Sequence, residues 1–342
     1  RVIGKSENRA TCLVTQPGLL RSRQGINLPG VKLPLPAITE ADREALAWAL
    51  QKDIDFVGLS FVRSPEDIRQ LRQLMGEVQN PPQIVAKIEK PEALDYLDEI
   101  LDLADAVMVA RGDLGVEIDI AEVAIVQKRI LAAARRHRKP AIVATQMLES
   151  MQRSRIPTRA EVSDVTNAIL DGADACMLSG ETAIGSYPEE SVRMMHRIAL
   201  ATESVSHPPV RFQAANAFPA NPAEITEASV WHAGLIAQEV GAKMLIILTR
   251  SGQTALTIAK HRFLVPTVGV SESRQVLRRM CLYWGIIPLM EAPLSDSQAL
   301  LRFATEWGKR EGLVQSGDRV VFVYGTGLVS SAHNTVSVFV AD

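Results

Sequence analysis

Short, uniformly apolar segments alternate with helix-like segments between residues 39 and 204 of this 342-residue chain. Strands that are apolar on both sides are typical of parallel sheets covered on both faces, with helices as the crossover connections. Eight such units close a barrel. The sequence therefore predicts an α/β fold, a partial (β/α)8 TIM barrel with only its last five strand–helix units present. The five apolar runs are 55–61, 83–88, 106–110, 140–145 and 173–179.

The chain divides into four predicted parts. Residues 1–29 are short polar segments broken by proline and glycine, with too little apolar material for a core of their own. Residues 30–205 hold the barrel units, and residues 206–222 form a linker rich in proline, alanine and asparagine. Residues 223–342 are predicted to form a C-terminal α/β domain with a mostly parallel sheet. Its last two strands lack a helix between them and are expected to pair antiparallel.

Composition excludes several classes of protein. Lys and Arg (37) nearly balance Asp and Glu (39), which argues against a nucleic-acid partner, because nucleic-acid-binding domains are usually basic. No apolar run reaches the roughly 18 residues expected of a membrane span. The cysteines are few, odd in number and far apart, so reduced thiols in the cytoplasm are expected. Because the first residue is Arg1 and not methionine, we expect the chain to start partway through a larger protein.

Polar and charged residues follow neighbouring strands of the predicted barrel, at the end where barrel active sites are built. Glu89 and Asp113 end adjacent strands, and paired carboxylates suit Mg2+ or Mn2+. Each acid taken alone is more readily interpreted as a solvated loop residue. Lys87 is the one charged residue of its strand. Its ammonium is expected either to neutralise a carboxylate or to contact a phosphoryl group during transfer, and the two roles are compatible.

Other candidate site residues each have two interpretations. Gly112 allows a ligand to approach the backbone beside Asp113, although a G-D-x-G segment is usually only a turn. Arg111 either binds substrate or braces its loop, and the Thr145 hydroxyl either positions a proton or is an ordinary loop hydroxyl. In the second domain, hydroxyls, a glycine and an arginine precede a helix, which suits a phosphate as well as a turn. These residues are Thr249, Arg250, Ser251, Gly252, Gln253 and Thr254.

Several long strings resemble the pyruvate kinase family in order and spacing. They are K-I-E at 87–89, M-V-A-R-G-D-L-G-V-E-I at 108–118, A-T-Q-M-L-E-S-M at 144–151, P-T-R-A-E-V-S-D-V-T-N-A-I-L-D-G-A-D at 157–174 and M-L-S-G-E-T-A at 177–183. G-I-N-L-P-G at 25–30 resembles that family's return from its lid domain into the barrel. The resemblance covers nearly the whole chain and is densest over residues 83–200.

The resemblance implies an enzyme that transfers the phosphoryl group of phosphoenolpyruvate to ADP, giving pyruvate and ATP in the last step of glycolysis. It implies that Glu89 and Asp113 hold Mg2+ or Mn2+ and that Lys87 stabilises the phosphoryl group in transit. It also implies that the first barrel units and most of the lid are absent from this chain. In the family those parts carry the K+ site and part of the nucleotide pocket, so the chain alone is expected to be inactive.

The resemblance assigns substrate binding to the other residues at the carboxyl ends of the predicted barrel strands, here called the rim. Backbone groups of Arg111, Gly112 and Asp113, with the Thr145 hydroxyl, are expected to hold the substrate carboxylate. Thr145 is also linked to protonation of the enolate. Two positions depart from the family pattern, because Lys90 stands where relatives often have asparagine and Ile184 where some have lysine. The second departure leaves a nucleotide contact in doubt.

Regulation is a further implication of the resemblance. Residues 249–254 match the phosphate site of the family's allosteric effector, here a sugar phosphate or a nucleotide monophosphate, and residues 325–331 resemble the loop that closes over it. A cytoplasmic homotetramer with no nucleic-acid or membrane partner is expected. Two alternatives stay open: another Mg2+-dependent phosphoenolpyruvate or pyruvate barrel enzyme, and a catalytically incompetent fragment that retains effector binding.

Overall fold

The computed structural model describes all residues except 20, 21, 23–25, 27, 29, 32–35, 206–221, 294, 295 and 326–332, and only the backbone of 222–224. The chain forms two compact units, Arg1–Leu33 and Pro34–Asp342. The predicted linker and the segments 25–30 and 325–331 lie wholly or partly outside the described residues. The bounds of the four predicted parts stay predictions.

The smaller unit is a β-hairpin. Strand β1 (Val2–Ser6) pairs antiparallel with β2 (Arg9–Cys12), with an irregularity between Val2 and Gly4. None of the described residues of this unit is buried. The absence of a core among them agrees with the polar composition of the segment.

The larger unit begins with a five-stranded parallel sheet whose strand order follows the chain. The strands are β3 (Phe56–Leu59), β4 (Gln83–Ile88), β5 (Ala106–Ala110), β6 (Ala141–Ala144) and β7 (Ala175–Met177). They lie within the five apolar runs of the sequence. A parallel sheet in chain order with intervening helices is the arrangement of a partial β/α barrel, and it confirms the predicted fold class.

Helices connect these strands and cover one face of the sheet. They are α1 (Glu40–Leu50), α2 (Pro65–Met75), α3 (Glu92–Asp95), α4 (Leu97–Leu103), α5 (Arg111–Glu117), α6 (Val123–Arg136), α7 (Arg159–Leu170), α8 (Gly180–Ala183) and α9 (Pro188–Glu203). Reciprocal capping hydrogen bonds start α1, where Thr39 pairs with Asp42, and α7, where Thr158 pairs with Glu161. The sequence predicts both starts, because Thr39 is a suitable N-cap residue and Thr158 has capping-box spacing to Glu161, and the structure confirms them.

Two helical features differ from the sequence-based expectation. The sequence predicts one helix over residues 91–102, but the structure divides it at Tyr96, whose backbone (φ −115°, ψ 22°) is not helical. The short helix α5 was not expected, and it begins directly after β5 with no loop between them. Its direct start places Arg111, Gly112 and Asp113 in a first helical turn at the strand end.

The two faces of the parallel sheet differ in burial. On one face Ile84 and Ile88 of β4 belong to a continuous apolar core with the surrounding helices. On the other face Lys87, Met108 and Ile142 lie opposite one another in register on β4, β5 and β6, and all three are half-buried. Lys87 therefore projects from the sheet face that points away from the helical core.

The remainder of the larger unit is built on a second five-stranded sheet, of strand order β10-β9-β8-β11-β12. Its strands are β8 (Met244–Leu248), β9 (Thr267–Val270), β10 (Ile286–Leu289), β11 (Arg319–Tyr324) and β12 (Thr335–Val340). Its helices are α10 (Pro222–Glu239), α11 (Gln253–His261), α12 (Arg274–Met280) and α13 (Ser297–Arg310). All pairs are parallel except β11 with β12, so the predicted antiparallel edge is confirmed.

Two groups of ion pairs, one buried and one partly exposed, join the part of the chain around the first sheet to the part around the second. The carboxylate of Asp174, fully buried just before β7, contacts the ammonium of Lys260 at 2.5 Å and the guanidinium of Arg262 at 3.2 Å, both at the end of α11. Arg278 of α12 contacts Asp55, just before β3, at 2.7 Å. The C-terminal part therefore packs against the amino ends of the barrel strands, opposite the rim expected to carry chemistry. Across the described ranges, no helix combines the length and apolarity needed to cross a membrane.

Candidate active site

Lys87 and Glu89 form a close ion pair at the carboxyl end of β4. The Lys87 ammonium lies 2.7 Å from Oε1 of Glu89 and donates to the Ser60 hydroxyl at 2.8 Å. The Lys87 side chain is 27% exposed, whereas the Glu89 side chain is 1% exposed. An ammonium that is paired on one side and open on the other can still approach an anionic ligand, so the ion pair is compatible with both predicted roles of Lys87.

A backbone hydrogen bond fixes the other oxygen of Glu89. The Phe61 amide, at the end of β3, donates to Oε2 at 2.6 Å. Phe61 has a left-handed backbone (φ 53°), which turns the chain after β3 so that its N–H points at the carboxylate. Glu89 is thus held between two strand ends and an ammonium, with its position fixed before any ligand binds.

Asp113 lies at the neighbouring strand end. Residues Lys87 and Met108 are register partners in β4 and β5, so Glu89 and the first turn of α5 leave the sheet side by side. Asp113 is exposed, and its carboxylate makes no hydrogen bond or ion pair with any other residue of the described part of the chain. An open carboxylate beside a buried one fits a divalent cation, since Mg2+ takes one or two carboxylates and completes its shell with substrate and water oxygens.

A cation at this rim would rely on those two carboxylates. Within the described ranges, no cluster of three or more His, Cys, Asp or Glu side chains is placed to hold a metal ion.

The Arg111 side chain points into the protein, away from the rim. It is buried, and its guanidinium pairs with Asp164 of α7 at 2.6 Å. It also donates to the backbone carbonyls of Thr145, at 2.8 Å, and Gln146, at 2.9 Å. Of the two interpretations from the sequence, these contacts support bracing by the side chain. The expected role of the Arg111 backbone in substrate binding stays a prediction.

Thr145 adopts an unusual backbone conformation just after β6. Its φ is 70° and that of Gln146 is 54°, although a β-branched residue rarely adopts positive φ. The Thr145 hydroxyl accepts the Gly112 N–H at 2.7 Å and donates to the Ala144 carbonyl at 2.6 Å. The structure therefore brings Gly112 and Thr145 together, as the sequence predicts for a shared rim. The Gly112 N–H is used by the hydroxyl in this structure.

Sequence reasoning missed three residues that shape this rim. Ser60 receives the Lys87 ammonium, Asp164 pairs with Arg111, and buried Glu181 accepts the backbone N–H groups of Leu148 and Ser179. Glu181 closely follows the apolar run 173–179, as Glu89 follows the run 83–88, and that parallel was the available signal. The Asp164 pairing spans 53 residues, and nothing in the local sequence points to it.

The predicted phosphate loop precedes α11. Buried Thr249 accepts the Gly252 N–H through its hydroxyl at 3.0 Å, and Gly252 has a left-handed backbone (φ 85°) that suits glycine. Arg250, Ser251 and Gln253 are exposed. The loop therefore presents a cation and a hydroxyl to solvent at the start of a helix, an arrangement that suits an anion.

His333 is a further residue that sequence reasoning missed. Its ring contacts the hydroxyl of Thr254 at 3.2 Å and the carbonyl of Leu248 at 2.5 Å, so it packs directly against the predicted phosphate loop. Burial lowers the pKa of His333 from its ordinary value, and the Leu248 hydrogen bond opposes this only in part. The ring is thus predominantly neutral near pH 7.

The fold and this rim define a β/α-barrel protein with two acids, a lysine and a threonine at the carboxyl ends of neighbouring strands, joined to a C-terminal α/β domain. The family profile described as pyruvate kinase, barrel domain, matches residues 2–192, and that described as pyruvate kinase, alpha/beta domain, matches residues 227–339. The chain belongs to the pyruvate kinase family.

Individual relatives agree with this assignment. The chain is 41% identical over 326 residues to a pyruvate kinase of Geobacillus stearothermophilus, covering 94% of this chain and 55% of the relative. It is 38% identical over 334 residues to a pyruvate kinase of Clostridium acetobutylicum, covering 97% of this chain and 70% of the relative. The chain thus spans about half the length of the first of these curated relatives, as it does for a pyruvate kinase of Staphylococcus epidermidis, of which it covers 55%.

Proposed function

We propose that the protein containing this chain is a phosphotransferase that moves the phosphoryl group of phosphoenolpyruvate to ADP, giving pyruvate and ATP in glycolysis. The observation that carries the proposal is the Lys87–Glu89 pair at the rim, with its 2.7 Å contact and its partly open ammonium. The exposed carboxylate of Asp113 follows the neighbouring strand. Membership of the family and the names of the relatives support the same activity.

Charge explains why these residues suit phosphoryl transfer. Catalysis of this reaction is mostly positioning and stabilisation of charge on the transferred group. The half-buried Lys87 ammonium offers a fixed positive charge at a site where water is partly excluded, which strengthens its attraction to phosphoryl oxygens. A divalent cation, Mg2+ or Mn2+, bound by Glu89 and Asp113 would supply further positive charge to the substrate oxygens.

Thr145 is proposed to serve the second half of the reaction. Loss of the phosphoryl group leaves the enolate of pyruvate, which must gain a proton at its methylene carbon. The Thr145 hydroxyl is held at the same rim by Gly112 N–H and the Ala144 carbonyl, and it is proposed to orient the proton donor, a water molecule. The N–H groups of the first turn of α5, among them those of Gly112 and Asp113, are proposed to hold the substrate carboxylate. Gly112 would exchange its hydroxyl partner for the substrate.

The test uses the full-length protein and the change Lys87→Met. Removing the ammonium is expected to lower kcat for ADP-dependent pyruvate formation by about 1,000-fold, because charge stabilisation of this kind is typically worth 10²–10³ or more in rate. Lys128→Met is the matched control, since Lys128 also pairs with a carboxylate, that of Asp171, but lies on the exposed side of α6. Wild-type turnover by the Lys87 variant would reject the assigned role.

We also propose that the protein is activated by a phosphorylated small molecule at residues 249–254, with a sugar phosphate or a nucleotide monophosphate as the ligand class. Exposed Arg250 and Ser251 ahead of α11 support an anion site there. Ser251→Ala is expected to abolish activation without changing unactivated turnover. Activation that persists in this variant would reject the loop as the effector site.

The remaining expectations are proposals of the same kind. A homotetramer, a K+ requirement and a cytoplasmic location follow from the resemblance to the family. Light scattering of the full-length protein tests the first, and turnover with K+ replaced by a larger organic cation tests the second.

A further inference from the structure

The guanidinium of Arg111 is completely engaged by neighbours within the chain. Nη1 contacts the carboxylate of Asp164 at 2.6 Å and the side-chain oxygen of Gln127 at 3.4 Å. Nη2 donates to the carbonyls of Thr145 and Gln146, at 2.8 and 2.9 Å, and Nε approaches the Thr145 carbonyl at 3.3 Å. Since a guanidinium has five N–H groups and each has an acceptor here, none is left for a substrate.

The carbonyls that Arg111 binds belong to the most strained part of the rim. Thr145 and Gln146 both have positive φ, 70° and 54°, and consecutive left-handed residues other than glycine persist only when the surroundings impose them. Three of the six hydrogen bonds of the guanidinium are with these two carbonyls. Arg111 is therefore the group that holds this backbone turn after β6.

The same turn sets the direction of the Thr145 side chain. With its backbone left-handed, Thr145 directs its hydroxyl back to the Gly112 N–H at 2.7 Å. Gly112 is the residue next to Arg111, so one short segment holds Thr145 from two sides, by a side chain on its carbonyl and a backbone N–H on its hydroxyl. A relaxed backbone at 145 would move the hydroxyl off the rim.

Asp164 orients the Arg111 guanidinium from the protein surface. It comes from α7, which follows β6 in the chain, and its carboxylate fixes Nη1 while Nη2 faces the strained carbonyls. The Arg111 side chain is 7% exposed and the Asp164 side chain is 40% exposed, so the arginine is locked in the interior and the acid reaches it from the surface. A bidentate arginine cannot be replaced by lysine at such a site, because the ammonium lacks the planar fork.

We infer that Arg111, oriented by Asp164, is a positioning residue that acts on the reaction only through Thr145. This inference rests on the proposed function, in which the Thr145 hydroxyl orients the proton donor for the enolate. On this inference the Arg111 side chain does not contact the substrate. It fixes the geometry of Thr145, which lies beside it.

A double-mutant cycle in the full-length protein tests it, with Arg111→Lys and Thr145→Ala alone and combined. Two rates are measured: kcat for pyruvate formation, and exchange of the methyl protons of pyruvate with D2O, followed by NMR. In the wild-type background, Arg111→Lys is expected to lower both by about 100-fold, the typical effect of misplacing a catalytic group by about 1 Å. In the Thr145→Ala background the same change is expected to cost less than about threefold, because residues that act as a unit are non-additive.

Arg129→Lys is the matched control, because Arg129 also donates to a backbone carbonyl, that of Leu94, but lies away from the rim. It is expected to leave both rates unchanged in both backgrounds. If Arg111→Lys does not fold, as judged by circular dichroism, Asp164→Asn replaces it. This variant removes only the partly exposed acid and is expected to show the same loss in the wild-type background and the same absence of loss with Thr145→Ala.

The outcomes separate the inference from the function on which it rests. If the wild-type protein forms pyruvate and the losses are non-additive, both the proposed function and the positioning role of Arg111 are supported. If the wild-type protein forms pyruvate but Arg111→Lys causes equal losses in the two backgrounds, the positioning role is overturned and the proposed function stays intact. Absence of pyruvate formation by the wild-type protein overturns the proposed function, and the positioning role with it.

Discussion

Thr145 shows how local strain and chemistry coincide at a single residue. A β-branched side chain at φ 70° costs about 1–3 kcal/mol relative to a relaxed backbone. Two hydrogen bonds offset that cost, one from Arg111 to the Thr145 carbonyl and one from the Gly112 N–H to the Thr145 hydroxyl. Because the strain is maintained without any ligand, the hydroxyl is oriented before substrate arrives.

Gly112 offers a test at this scale. A Cβ at Gly112 would lie 3.2 Å from the Thr145 hydroxyl oxygen, so Gly112→Ala must displace the hydroxyl by a few tenths of an ångström. We expect kcat of the full-length protein to fall about tenfold, less than for a full 1 Å displacement. The free energy of unfolding should change by less than about 1 kcal/mol, because alanine favours the helix.

Gly115→Ala is the control for this substitution. Its Cβ would meet Ile120 and Val123 at 3.5 Å, an ordinary contact distance, within the same short helix. Equal kcat values for the two alanine variants would show that the Thr145 hydroxyl is not sensitive to the Gly112 position.

The individual residues differ in how far the sequence determines them. Lys87 and Glu89 are two positions apart on one strand end, so their pairing follows from local geometry, and the ion pair at 2.7 Å was among the predicted outcomes. The bracing contacts of Arg111 depend on Asp164 and on carbonyls 34 and 35 residues away. Whether an arginine at a strand end points outward to a ligand or inward to a brace is decided by such distant partners, which no local pattern encodes.

At the scale of elements, the hydrophobic pattern determines the strands well and short helices poorly. The strand runs at 83–88 and 106–110 match β4 and β5 residue for residue, because a parallel strand covered on both faces is largely apolar. Helix α5 was missed because its seven residues include two glycines, which disfavour helices, and because it is too short to show helical periodicity. The division at Tyr96 likewise leaves the apolar spacing of 91–102 nearly unchanged.

His333 gives a prediction for the elements around the phosphate loop. Its pKa in the folded protein lies below the ordinary 6.5, so the unfolded chain binds the proton more readily. Stability from this group is therefore complete above about pH 6.5 and declines as the pH falls below that value toward the lower pKa of the folded state. The urea midpoint of the wild-type protein should fall between pH 7.5 and pH 5.5, and that of His333→Gln should fall less.

Other histidines titrate in the same range, so the comparison between the two proteins is the measurement, not either slope alone. Identical pH dependence in the wild-type and His333→Gln proteins would contradict a half-buried neutral imidazole between Thr254 and Leu248.

At the scale of the molecule, buried charge joins the C-terminal part to the barrel strands. Burial lowers the pKa of Lys260 to about 8, although Asp174 opposes the shift. Burial alone would raise the pKa of Asp174, but Lys260 and Arg262 outweigh it and hold that pKa below its ordinary value. A charged cluster of this kind is costly to break by removing one partner, because the other is left buried.

Lys260→Met tests that cluster. It leaves Asp174 with Arg262 alone, and we expect a loss of about 2–3 kcal/mol in the free energy of unfolding, measured by chemical denaturation. Adding Asp174→Asn should recover part of the loss, since no unpaired charge then remains. Lys128→Met removes a more exposed pair and should cost less than about 1 kcal/mol. A Lys260 variant as stable as the Lys128 variant would show that the cluster does not hold the two parts together.

The central claim is that Glu89 and Asp113 meet at one rim to bind a divalent cation with the substrate. Electron paramagnetic resonance of Mn2+ titrated into the full-length protein with phosphoenolpyruvate tests it directly. We expect saturable Mn2+ binding by the wild-type protein. Glu89→Gln and Asp113→Asn should each weaken it by more than the roughly 10–100-fold typical of outer-shell partners. Glu117→Gln, whose acid pairs with Lys90 instead, should bind Mn2+ as the wild type does. Unchanged Mn2+ affinity in both the Glu89 and Asp113 variants would show that these two carboxylates do not bind the cation.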